Sequence, residues 1–246
     1  MSDKQVRDLE RRLTQSGALD DEVALIRERL RVGLIDSHAL DVAADSLGYP
    51  AAQVVLCGAA SPVTIIDHSR FSSELHVIAF TDVDGHVHPL GVKGAAVLAN
   101  EAARLLDTSD PVDPRGCRLL ESVRNIYHRM NGARKRTVHP LGESEIEFAA
   151  IVRQNWHAEA LNRFADRGLV LALMVMTVQY VQFRSAAFEE ILGCFLREAP
   201  LGGFSRDLRL RWFRTAMMQA LIPELLGIPS LVPHPPDLSF MTPHQQ

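Results

Sequence analysis

Cysteine is scarce in this chain, with three in 246 residues (Cys57, Cys117 and Cys194), each isolated. An odd count with no CxxC pair excludes a disulfide scaffold and a structural zinc finger as the organising principle. The composition also lacks a basic excess. The formal net charge is -4 and the isoelectric point about 6.2, so nothing global drives binding to nucleic acid or acidic membranes, and any such binding is local. The opening segment MSDKQVRDLERRL is charged and has no apolar signal-peptide core, which makes the cytoplasm the expected compartment. Sequence patterns that mark common chemistry are missing as well: no GxxxxGK, no GxGxxG after a strand, no GxSxG and no HExxH.

What is present is an ordinary globular composition, 47% hydrophobic and 23% charged, with near-zero mean hydropathy. Its most distinctive stretch is Leu169 to Phe195. Leu169 to Met176 are uninterrupted apolar residues, and Gln179, Gln182 and Arg184 follow. A membrane span needs about 20 mostly apolar residues, so the run is too short. Leu171, Ala172, Leu173, Met174 and Met176 favour helix over strand. A helix apolar on all sides must be walled in by amphipathic partners, which predicts a mainly α fold: a helical bundle around a buried central helix at about 169–195.

The first 60 residues read as four short helices. Val6, Leu9 and Leu13 form a stripe ending near Gly17, and Asp20 is placed to cap a second helix with Val23, Ile26 and Leu30 inward. Gly33 stops it. Asp36 or Ser37 caps a third with Leu40, Ala43, Ala44 and Leu47 inward, closed by Gly48; Pro50 starts a fourth with Val54 and Val55 inward. The phrase Leu47-Gly48-Tyr49-Pro50-Ala51-Ala52 through Leu56, within residues 20–58, resembles the helix-turn-helix modules of bacterial HEAT-like α-solenoids. That resemblance implies a protein-binding scaffold, whereas the single copy suits a small helical cap.

Residues 61–91 lean toward β structure through Val63, Ile65 and Ile66 and then Val77 to Phe80. Asp84-Gly85 is a hairpin signal, placing a short β-hairpin near 77–88. Helical patterning resumes over Ala95–Leu106, again over Cys117–Met130, and in an apolar stripe of Phe148, Val152, Trp156, Ala160 and Phe164. A last helix capped by Ser205 carries Leu208, Trp212, Ala216 and Ala220. Met176, Met217 and Met218 suit core filling. Ile228 to Gln246 holds five prolines and reads as a tail, loose or draped over the surface. The expected organisation is an N-terminal helical module (1–60), the β-leaning segment (61–91), a helical bundle (92–228) and the tail (229–246).

Three groups carry candidate chemistry. Asp82-Val83-Asp84-Gly85-His86-Val87-His88 is the densest set of ligand types; on a strand, His86 and His88 share a face and would present two imidazoles to one metal. A calcium loop does not fit, because the twelfth residue from Asp82 is Lys93 instead of a bidentate carboxylate. Against the metal stands a plain hairpin tip with exposed histidines. Glu143, Glu145, Glu147, His157 and Glu159, with His139 before them, lack the Glu-x-x-His spacing of dinuclear bundles and suit a solvated helix face. Arg124, Arg129, Arg134, Lys135 and Arg136, with no acid between Glu121 and Glu143, form a basic patch for a polyanion or acidic partner, although cations also favour a helix C-terminus without any ligand. Arg206, Arg209, Arg211 and Arg214 scatter around their helix.

Missing catalytic motifs, the helix pairs and the Pro-rich tail together point to a non-enzymatic protein-binding adaptor, immunity-type or accessory subunit of a bacterial assembly. Another protein is the expected partner, with no membrane and no cofactor. Two alternatives remain open at this level: a helical-bundle enzyme or cofactor/metal binder with an enclosed cavity, and a nucleic-acid-associated subunit using the basic patch.

Overall fold

A computed structural model describes residues 2–61, 68–82, 84–106, six positions between 121 and 130, and 206–232. The chain is mainly helical, 72% over its described residues, with one short two-stranded antiparallel sheet. Its described elements are α1 (Ser2–Ser16), α2 (Leu19–Arg31), α3 (Ser37–Asp41), α4 (Pro50–Cys57), α5 (His68–Val77), β1 (Ala79–Thr81), β2 (Val87–Pro89), α6 (Leu90–Leu106) and α7 (Arg206–Leu226). The expected central helix at 169–195, the stripe from Phe148 to Phe164 and the residues from 233 onward lie outside the described residues. Among the described residues no helix is long and apolar enough to cross a membrane.

The chain divides into two compact units. One comprises residues 1–78 and 217–234; the other comprises 79–216 and 235–246. In the first, α1 and α2 pair along the stripe that the sequence predicts: Val6, Leu13, Val23 and Ile26 are buried. Ion pairs stitch the same hairpin of helices, Arg12 to Asp21 at 2.5 Å and Arg29 to Glu10 at 2.6 Å. Asp20 is not the cap of α2. The helix begins one residue earlier at Leu19, and Ala18, which cannot cap, stands at its N-cap. Asp20, Asp21 and Glu22 instead occupy the first turn, where the positive end of the helix dipole stabilises acids.

Asp36 does cap α3, accepting from the Ala39 amide at 2.7 Å. The chain then widens into a π-helical turn over Val42–Ser46, which no periodicity announces, and the Tyr49 amide closes it by bonding the Ala43 carbonyl at 2.8 Å. Leu40, Ala43, Ala44 and Leu47 are all buried, as their spacing requires. Pro50 takes the first turn of α4 as expected. The inward face of α4 is however Ala51, Ala52 and Gln53, while Val54 and Val55 are half-buried. Helix α4 packs against α2 and the π turn, where the small Ala51 and Ala52 fit a close-packed interior.

Residues 68–77 are helix, although the segment leans toward β in its composition. Phe71 and Leu75, at i and i+4, fall on one face of the helix and are fully buried, and α5 packs against the π turn. Met217, Leu221, Ile222, Leu225, Leu226 and Ile228 complete the core of this unit. Helix α7 runs on through Pro223.

The second unit contains the hairpin β1–β2, paired as Ala79↔Pro89, Phe80↔His88 and Thr81↔Val87. The Asp-Gly signal therefore located the turn, with strands set slightly later than 77–88. Helix α6 follows directly, with Leu90, Ala95, Ala96 and Val97 buried.

Candidate functional site

The hairpin tip is the densest concentration of ligand-type side chains among the described residues. The connection between Thr81 and Val87 is longer than a two-residue turn. The Gly85 amide bonds the Asp82 carbonyl at 3.0 Å and the Asp82 amide bonds the His86 carbonyl at 2.9 Å, and Gly85 has φ +83, a conformation suited to glycine. This loop folds around one carboxylate. Asp82 Oδ1 accepts from the amides of Asp84 and His86, each at 2.9 Å, while Asp82 Oδ2 lies 2.9 Å from His88 Nε2. The Asp82 side chain is only 7% exposed. Burial pushes its pKa up, but the amides of His86 and Asp84 and the ring of His88 outweigh that and hold it below the ordinary carboxylate value.

His86 and His88 do not share a strand face, because His86 precedes β2 and only His88 belongs to it. Their rings stand edge to face with centroids 6.3 Å apart. His88 also faces Phe80 across the hairpin at 5.7 Å, and the Lys93 ammonium lies 5.5 Å from that same ring's centroid. The side chains that do converge are Asp82, Asp84 and His86: one ligand atom from each falls within 4.8 Å of the others. His86 Nδ1 is 3.6 Å from Asp82 Oδ1.

Of the basic patch, Arg124 is half-buried on a helical stretch, and Arg129, Arg134, Lys135 and Arg136 lie outside the described residues. Glu143, Glu145, Glu147, His139, His157 and Glu159 also lie outside them.

The first unit holds a buried polar cluster that the sequence reading passed over. Tyr49, 1% exposed, donates a short hydrogen bond to Glu22 Oε1, and Glu22 is itself 3% exposed. The Leu231 amide in turn donates to the Tyr49 hydroxyl at 3.3 Å. Desolvation by burial raises the Glu22 pKa above its ordinary value, against a lowering by the Tyr49 hydroxyl; burial and the neighbouring carboxylate raise that of Tyr49. A signal for this cluster existed. Glu22 stands four residues before the buried Ile26, on the apolar stripe of its own helix, where an acid needs a partner. Which partner it finds depends on the turn that brings Tyr49 over it.

Beyond Ile228 the chain stays on this unit at least to Val232, whose carbonyl accepts from Gln219 Nε2 at 3.0 Å. Large apolar side chains left in solvent on the unit are Leu19 (44% exposed), Leu34 (58%), Leu56 (41%), Val77 (75%) and Leu231 (38%). No family model, characterised protein or solved structure matches the chain.

Proposed function

We propose that this chain is a non-enzymatic protein-binding component, an adaptor, immunity-type or accessory subunit of a bacterial assembly, acting in the cytoplasm. The observation that carries the reading is the exposure of Leu19, Leu34 and Leu56 on a unit that buries Leu13, Leu25, Leu40 and Leu47. A partner surface covering these leucines would gain about 25 cal/mol per Å² of apolar area removed from water. The titratable groups buried in the same unit support it further, since Glu22 is bonded to Tyr49, Asp21 to Arg12 and Glu28 to Arg31.

The test is co-purification from the native host followed by mass spectrometry, comparing the full chain with a Leu34→Asp, Leu56→Asp double variant whose circular dichroism is unchanged. A stoichiometric protein captured by the native chain and lost from the variant supports the reading. Retention of the partner by the variant, or recovery of a bound small molecule with no protein, overturns it.

A further inference from the structure

We propose that residues 227–232 form a pH-sensitive strap, closed over Tyr49 while Glu22 is protonated and released when Glu22 ionises. The inference is independent of the adaptor reading. Helix α7 ends at Leu226, and Gly227 turns the chain in the left-handed region at φ +65. The residues that follow, to Val232, belong to no helix or strand. Their anchors are the side chain of Ile228, 1% exposed, the Leu231 amide on the Tyr49 hydroxyl at 3.3 Å, and the Val232 carbonyl on Gln219 Nε2 at 3.0 Å. Pro229 and Leu231 face solvent. A segment fixed by so few bonds lies at the low end of local stability and opens without the rest of its unit unfolding.

The strap stands one hydroxyl away from a buried acid. The Tyr49 oxygen that receives the Leu231 amide is the one that donates to Glu22 Oε1, so opening the strap admits water to the hydroxyl and, past it, to the carboxylate. The groups on the elements packed around Glu22 do not neutralise it. From α1, Arg12 is held by Asp21 and Glu10 by Arg29; Asp45 of the π turn is drawn to Arg70; α4 carries only the exposed thiol of Cys57, and residues 227–232 carry no charge. Desolvation therefore raises the Glu22 pKa in the closed form, with the Tyr49 hydroxyl lowering it by less. By linkage, the closed form keeps its advantage below the ordinary glutamate value and loses it as pH rises through the raised one. Release carries the Ile228 side chain into solvent and uncovers the Tyr49 hydroxyl, so pH changes the surface that this unit presents.

The experiment follows amide exchange of the full chain by NMR from about pH 5 to about pH 8, each rate corrected for its intrinsic pH dependence. Leu231 is expected to exchange ahead of Ile26 in α2 at every pH, and its protection to fall by up to about tenfold per pH unit once Glu22 begins to ionise. Glu22→Gln should remove that fall. Leu231→Pro, which takes the amide off Tyr49, should bring the carboxyl titration of Glu22 down toward the ordinary value, because the coupling is reciprocal. Native Leu231 protection that does not vary with pH, a fall that survives in Glu22→Gln, exchange of Leu231 only together with Ile26, or an unmoved Glu22 titration in Leu231→Pro overturns the proposal. Should a variant not fold, the native chain decides: loss of Leu231 protection that sets in with the Glu22 titration supports the strap, and loss that sets in elsewhere overturns it.

Discussion

Replacing Tyr49 by Phe removes one oxygen atom from a closed interior and leaves the ring in place. That oxygen donates to Glu22 and accepts from the Leu231 amide, so its loss strands a buried carboxylate and a partly buried N–H together. A hydrogen bond to a charged group contributes about 1.5 to 3 kcal/mol, and a neutral one about 1 kcal/mol. The expected loss is therefore roughly 2 to 4 kcal/mol for the ionised carboxylate, a form that is more populated at pH near 8 than at lower pH. The loss depends on pH in a definite direction. The folded pKa of Glu22 is raised, so the stability it contributes is present below the ordinary glutamate value and disappears as pH rises through the raised one. At pH near 5 more of Glu22 is protonated and uncharged, and Tyr49→Phe costs less. Urea unfolding at both pH values measures the two differences. Glu22→Gln, which keeps a carbonyl for the Tyr49 hydroxyl, is expected to flatten the pH dependence, and combining it with Tyr49→Phe isolates the coupling between the two residues. A Tyr49→Phe protein within about 0.5 kcal/mol of native, or equally weakened at both pH values, would refute the reasoning.

Two further substitutions probe the same unit. Asp36→Ala removes the side chain that caps α3 and should lower stability by about 1 kcal/mol in denaturant unfolding, with Asp36→Asn recovering most of it. Gly227→Ala places a methyl group 2.5 Å from Arg29 Nη1 at a backbone φ of +65, so it should cost about 1 to 2 kcal/mol and loosen the Arg29–Glu10 ion pair. Amide exchange at Leu231 should quicken in that variant, because Gly227 leads into the segment that reaches Tyr49. Unchanged protection there would show that the segment is held without this junction.

Local rules carried the reading of the N-terminal helices. Stripes such as Val23 with Ile26 fall on one side of a helix by geometry alone, and Asp36 and Pro50 mark starts because an unbonded helix end needs an acceptor or tolerates a missing donor. Asp84-Gly85 likewise marked the hairpin, since few residues accept the backbone that reverses a strand. Helix α5 was not legible: the β-leaning residues around it masked the i, i+4 pair Phe71 and Leu75, which the fold buries completely in a helix packed against the π turn over Val42–Ser46.

The amino-acid order by itself determined the mainly helical class, the positions of most N-terminal helix ends and the place of the hairpin, because each depends on interactions spanning only a few residues. Tertiary structure alone decided that Glu22 meets Tyr49 and that Leu231, 182 residues further along, bonds the same hydroxyl. It also decided that His88 bonds Asp82 from β2, while His86 lies beside the same carboxylate from the loop and shares no strand face with His88. Such pairings bring together groups whose separation along the chain carries no information, and only burial, which penalises every unpaired polar atom, selects among them.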